Sequence, residues 1–210
     1  MPTLQVIEVF DSVQGEGWWS GVPMTFVRLA GCNASSLGLW CAKWCDTSWA
    51  WMTKVAEETS PAAVLEQVHL PRLCLTGGEP LLQTEGVVEL VALARGRGVK
   101  VHLETNGTVM PPDCLFDWAV VSPKPPKYWV ATGWEGRVQE LKLVADDYLD
   151  EATAERLAAL YPEALVSIQP LWTSPERPDF LEFQQKALRL VLGHPAWRLS
   201  VQIHKVLGIP

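Results

Sequence analysis

Eight short apolar runs, rich in β-branched residues and bounded by Gly, Pro or Asn, punctuate the chain. They are QVIEVF (5–10), TFVRLA (25–30), RLCLTG (72–77), VKVHLET (99–105), WAVVSP (118–123), QELKLV (139–144), ALVSIQP (164–170) and RLSVQI (198–203). Runs of this length and composition are strand signals. Between several of them lie helical patterns, SPAAVLEQV, TEGVVELVALARGRG, DEATAERLAALY and DFLEFQQKALRLVLG, each opening near Ser, Thr or Asp and most closing at Gly or Pro. Strand alternating with helix demands crossover connections, and hence a mainly parallel sheet. The crossover helices are too few for a closed eight-fold barrel. The expected fold is therefore α/β, an incomplete, open β/α barrel, with one domain spanning residues 1–210. The one long stretch with neither period, VSPKPPKYWVATGWEGR (121–137), reads as a functional loop.

Charge and cysteine usage narrow the function. Seventeen basic against twenty-four acidic side chains leave a net charge of −7, so no global field gathers a nucleic-acid backbone. No window approaches the roughly 20 apolar residues of a membrane span, and MPTLQVIEVFDSV lacks the basic start and apolar run of a signal peptide. A cytoplasmic location is expected. In that reducing compartment five cysteines, an odd set, argue for metal binding or catalysis rather than a disulfide framework.

Three of the five, Cys32, Cys41 and Cys45, fall within fourteen residues just after the second predicted strand. Three thiolates hold only three irons of a cubane 4Fe-4S cluster, which leaves the fourth iron open to a ligand such as S-adenosylmethionine. A zinc site completed by a histidine, or cysteines serving as small core residues, are the alternatives.

Polar residues with special chemistry gather just past the carboxyl ends of the predicted strands: Thr76–Pro80, Glu104–Gly107, Ser122–Lys124, Lys142, Gln169 and His204. Parallel α/β folds bind their ligands at that edge. Gly77 and Gly78 let backbone approach a ligand closely, and Glu79 offers an acceptor for an ammonium group. Arg28, four residues before Cys32, suits bidentate binding of a carboxylate.

The cysteine loop, followed in order by GGEP (77–80), ETNG (104–107), SPK (122–124) and the terminal HKVLGIP, resembles the radical S-adenosylmethionine superfamily. Within it, the chain is similar to the 7-carboxy-7-deazaguanine synthase family, from VQGEG (13–17) to Pro210. The cysteine spacing, C-x8-C-x3-C, is wider in both gaps than the superfamily's usual C-x3-C-x2-C. Cys74 lies inside a predicted strand and Cys114 in a distant connection, so Cys32, Cys41 and Cys45 remain the expected set.

The resemblance implies a radical lyase that turns 6-carboxytetrahydropterin into 7-carboxy-7-deazaguanine with loss of ammonia. It assigns S-adenosylmethionine to Gly77, Gly78, Glu79, Glu104, Asn106, Ser122, Lys124 and Gln169, and the substrate to Gln14, Glu16, Arg28, Thr76, His204 and Pro210. Gln14 and Glu16 pair an amide with a carboxylate, as the N–C–N edge of a pterin requires. Thr47, in Cys-Asp-Thr at 45–47, is the implied Mg²⁺ ligand. A flavodoxin- or ferredoxin-like reductant and a homodimer are the implied partners. Two rival readings are a radical enzyme that activates a glycyl-radical protein and a zinc-stabilised binding module without catalysis.

Overall fold

The structure, a computed structural model, describes residues 2–173 and 179–210. In chain order its elements are β1 (Leu4–Val13), β2 (Pro23–Leu29), β3 (Glu57–Thr59), α1 (Pro61–Leu65), β4 (Arg72–Gly77), α2 (Thr84–Gly96) and β5 (Lys100–Thr105). There follow β6 (Trp118–Val121), β7 (Glu140–Ala145), α3 (Glu151–Leu160), β8 (Leu165–Pro170), α4 (Asp179–Gly193), β9 (Arg198–Leu199) and α5 (Ile203–Leu207). One sheet holds all the strands in the order β3-β1-β2-β4-β5-β6-β7-β8-β9. β1 runs antiparallel to β2 and β3, and every pair from β2 to β9 is parallel. From β2 onward the strands follow chain order, as in a β/α barrel, but β3 and β9 stand at opposite ends and the sheet does not close. The expectation of an open, mainly parallel barrel is met.

Alternation along each strand decides what each face meets. Leu73, Leu75, Val101, Leu103, Val121, Leu141, Leu143 and Ile168 are buried and share one cluster with Val87, Leu90 and Val91 of α2, Leu157 of α3 and Ala187 of α4. Burying each such side chain contributes about 1.5–3 kcal/mol, so the fold's apolar core lies under the helices on the outer face of the sheet. The intervening residues, Cys74, Thr76, His102, Glu104, Glu140, Lys142, Ser167 and Gln169, occupy the inner face. Register pairs Cys74 with His102 and Lys142 with Ser167 across neighbouring strands. The inner face is thus polar: His102 and Lys142 both reach Glu104, and Ser167 donates to Glu140.

The four predicted helices are present. Ser60 caps α1 by accepting from Ala63 N at 3.2 Å, and Asp150 caps α3 by accepting from Thr153 N at 2.7 Å. Two elements differ from expectation. RLSVQI is extended only at Arg198–Leu199, because Ser200 and Gln202 turn inward to join the polar network and Ile203 N donates to Gly15 O at 2.9 Å, starting α5. The edge strand β3, Glu-Glu-Thr, carries no apolar pattern and pairs with β1 through its backbone. The 121–137 loop contributes to the core. Tyr128, Ala131 and Trp134 are buried in the outer core, with Trp134 Nε1 donating to Val109 O at 2.9 Å.

Candidate active site at the carboxyl edge of the sheet

The chain leaves β2 at Leu29 and turns at Gly31 (φ +89) into the cysteine loop. The loop packs hard against the turn after β4. A Cβ on Gly77 (φ +134) would sit 2.1 Å from Leu29 O, and one on Gly78 would sit 1.9 Å from Gly31 O. Backbone bonds from Gly78 N to Leu29 O (3.1 Å) and from Glu79 N to Gly31 O (2.8 Å) lock the two turns together. The paired glycines are therefore required by close approach of backbone to backbone. Farther along, Trp40 N donates to Pro125 O at 2.9 Å, tying the loop to the segment after β6.

Cys32, Cys41 and Cys45 are unbridged, and all three line one cavity over the carboxyl ends of the strands. Burial pushes the Cys41 thiol up to about 11, against the pull of the nearby Lys124 ammonium, and raises Cys32 as well. Such thiols hold their protons at neutral pH unless a metal displaces them. Among the described residues, the Cys/His/Asp/Glu triads with ligand atoms all within 4.8 Å of one another are Cys74–His102–Glu104 and Glu151–Glu155–His194. The three loop sulfurs are spread more widely. A single tetrahedral ion with Zn–S bonds of about 2.3 Å needs its sulfurs about 4 Å apart, so the loop suits a larger, multi-iron group.

The rest of the cysteine side of the cavity comes from strand ends. Gly77, Gly78, Thr76 and Glu104 line it, with Asn106, Ser122, Lys124 and Gln169. Asn106 donates through Nδ2 to Asn33 Oδ1 at 3.0 Å, which joins the turn after β5 to the cysteine loop. Lys124 is half-buried; desolvation lowers its pKa against the opposing influence of Cys41, and it donates to Ser122 Oγ. Gln169 Oε1 accepts from Ser200 Oγ at 2.9 Å. Glu79 is placed differently. Fully buried, it lies beneath the cavity and accepts from Thr105 Oγ1 (2.8 Å), Asn106 N (2.8 Å) and Leu81 N (3.1 Å), so it braces the Gly77–Gly78 turn against β5.

The cavity continues to a second side that shares Glu16, Thr47, Thr76, Glu104 and Lys142 with the first. There Gln14, Arg28, His204 and Pro210 complete the wall. Arg28 donates from Nε to Glu8 Oε1 at 2.7 Å and lies over the rings of Phe10 and Trp49. Burial opposes ionisation of Glu104, but the Lys142 ammonium and His102 override it and hold the carboxyl down at about 2. Glu16 is lowered in the same way: burial resists, and Lys142 outweighs it. Burial lowers the pKa of His204, whose ring packs on Gly15. Pro210 O accepts from Ser12 Oγ at 2.8 Å, and Lys205 pairs with Asp46, so the terminal segment bridges β1 and the cysteine loop. Thr47 stands 3.5 Å from Cys45 Sγ through its hydroxyl.

Comparison with known proteins gives the family. Residues 13–113 match a family model described as a 4Fe-4S single cluster domain. The 7-carboxy-7-deazaguanine synthase of Caulobacter vibrioides is 36% identical, covering 99% of this chain and 100% of that one. The synthase of Bradyrhizobium diazoefficiens is 37% identical over 97% of this chain and 98% of its own. The chain belongs to the 7-carboxy-7-deazaguanine synthase family. The crystal structure of QueE from Escherichia coli matches with a TM-score of 0.78 at 24% identity, over 95% of this chain and 94% of that chain, a likeness of fold. Of the candidate residues named from the sequence, all but Glu79 line the cavity or its second side.

Several residues of the site escape motif reading. Glu140 is buried and accepts from Trp18 N (3.1 Å), Trp118 Nε1 (3.2 Å) and Ser167 Oγ (2.5 Å). It anchors the QGEG loop, where a Cβ on Gly17 (φ +64) would lie 2.4 Å from Glu140 Oε1. Gln202 donates to Glu16 Oε1 at 2.6 Å, and Asn33 joins two turns. The signal for Glu140 and His102 was available: each is a polar residue on the alternate face of an otherwise apolar strand.

Proposed function

We propose that this chain is a radical S-adenosylmethionine lyase that converts 6-carboxytetrahydropterin to 7-carboxy-7-deazaguanine, releasing ammonia. The observation that carries the reading is the single continuous cavity. One side holds three unbridged cysteines beside a glycine turn, and the other holds an amide, two carboxylates, a guanidinium and the chain terminus. When bound, a 4Fe-4S cluster with S-adenosylmethionine supplies a carbon radical able to remove a hydrogen atom from the substrate carbon that bears the carboxylate.

The protein's part is placement. Cys32, Cys41 and Cys45 would hold the cluster. Gly77 and Gly78 would border the cofactor, and Asn106, Ser122, Lys124, Gln169 and Glu104 would surround it. Glu79 contributes through the turn it braces. Gln14 and Glu16 read the donor-rich edge of the pterin, while Arg28 and Thr76 receive its carboxylate side. His204 and Pro210 close the site beside α5. Thr47 would offer a hard oxygen to Mg²⁺. Holding the substrate in one pose is what channels a reactive radical down a single path.

A small flavodoxin- or ferredoxin-like carrier delivers the electron, the enzyme works as a homodimer, and the cytoplasm keeps its thiols reduced. The test is an anaerobic reaction with chemical reductant, S-adenosylmethionine and 6-carboxytetrahydropterin, preceded by iron analysis. About four irons with sulfide per chain and a deazaguanine product are expected. An intact cluster without that product retires the substrate assignment, and a lone zinc ion retires the radical chemistry.

A further inference from the structure

Lys142 stands on the inner face of β7 where the two sides of the cavity meet, and it lines both. Its ammonium reaches Glu16 Oε2 at 2.5 Å and Glu104 Oε2 at 2.7 Å. The three groups come from β7, the loop after β1, and β5, and the lysine side chain is only 9% exposed. Two carboxylates gripping one buried cation are near neighbours. Without that cation they repel in a low-dielectric setting, and one of them takes up a proton. A protonated carboxyl donates where a carboxylate accepts.

Resting on the pterin reading above, we propose that Lys142 is a positioning residue: it keeps Glu16 and Glu104 both anionic and aimed into the cavity where its two sides meet, Glu16 as an acceptor for N–H groups of the heterocycle and Glu104, which lines both sides, facing cofactor and heterocycle together. The second oxygens are also oriented. Gln202 donates to Glu16 Oε1 at 2.6 Å, and Gln14 donates to Glu104 Oε1 at 3.1 Å. Each carboxylate oxygen has two lone pairs, so these contacts aim the groups and leave acceptor capacity for a ligand.

The other charged or titratable groups facing this trio are His102 on β5, Cys74 on β4, Arg28 on β2, Lys124 after β6 and His204 on α5. None of them bridges both carboxylates. Arg28 is engaged with Glu8, Lys124 with Ser122, and His102 reaches Glu104 at 3.2 Å. His204 is drawn toward its neutral form by burial. All five remain in the variants below, so their own titrations cancel in a ratio of variant to parent.

The test is calorimetric binding of 6-carboxytetrahydropterin to the anaerobic holoenzyme with S-adenosylmethionine and no reductant, from about pH 6 to about pH 9. Lys142→Met is expected to bind at least about tenfold more weakly than the parent at the acid end, with the gap narrowing as pH rises and the shared proton leaves. Adding Glu104→Gln removes the repulsion, so in Lys142→Met/Glu104→Gln the ratio to the parent becomes independent of pH. Lys142→Arg keeps the charge and keeps the parental profile, which covers the case in which Lys142→Met fails to fold. The inference is overturned if Lys142→Met binds as the parent does, if its loss is equal at every pH, or if Lys142→Arg loses affinity at the acid end. A parent enzyme with an intact cluster that binds no pterin at any pH overturns the functional reading as well.

Discussion

Replacing Gly78 with alanine tests whether the cysteine loop depends on the turn beneath it. The added Cβ would lie 1.9 Å from Gly31 O, 2.5 Å from Gly31 C and 3.0 Å from Cys32 Cβ. Ordinary contact begins near 3.4 Å, so Gly31 must retreat by about 1.5 Å. The obstacle is backbone, which no rotamer change relieves. The same oxygen accepts from Glu79 N at 2.8 Å, and that bond breaks when Gly31 moves. Losing it costs about 1 kcal/mol net, and stranding a buried amide adds about 1–3 kcal/mol, which gives roughly 2–4 kcal/mol. For a chain of this length that is a fall in melting temperature of roughly 4–16 °C. Cys32 moves with Gly31, and a misplacement of about 1 Å lowers turnover about a hundredfold. Iron per chain after anaerobic reconstitution, a thermal melt and turnover read all three effects. Gly96→Ala, where a Cβ meets nothing within 4 Å, is the control that leaves them unchanged. Parental iron content in Gly78→Ala, with a melting temperature within about 2 °C of the parent, would refute the reasoning.

Cys41→Ala is expected to lose cluster iron while Cys74→Ser retains it, because only the former lines the cysteine side of the cavity; iron analysis of both decides. A tag fused after Pro210 should lower kcat/KM by at least about tenfold, and one before Met1 should not, since the terminal residue lines the substrate side; paired kinetics of the two fusions check this. Because Lys142 holds the Glu104 carboxyl near 2 against burial, its stabilisation is fully present above the ordinary value of 4.5 and is lost as pH falls toward 2. Melting temperatures between those limits should therefore drop more steeply for the parent than for Glu104→Gln, and parallel curves would count against it. Trp134→Ala, which empties a buried position and frees Val109 O, is expected to cost about 3–5 kcal/mol in denaturant unfolding.

How much of this was legible in the sequence follows from which contacts are local. Strand and helix periods are local, so the parallel sheet and its open form could be read from runs such as RLCLTG and TEGVVELVALARGRG. The cysteine triplet and the residues after each strand were legible because topology alone brings strand ends to one edge. Glu79 was less so: GGEP announces a binding turn, but only the fold shows its carboxylate spent on Thr105 and Asn106, 26 and 27 residues away. Contacts such as Gln202 with Glu16, 186 residues apart, leave no mark in either local sequence. RLSVQI has a strand's composition, yet Ser200 and Gln202 find better partners in the polar network than a ladder offers.

Because one strand supplies an apolar outer row to the core and a polar inner row to the site, its length tolerates no change. Inserting or deleting a single residue in β5 or β7 would turn Leu103 or Leu141 toward the cavity and bury Glu104 or Lys142 under a helix. Loops carry no such parity: the wide gaps between Cys32, Cys41 and Cys45 lie at the rim of the sheet, where an added residue turns no strand side chain from one face to the other.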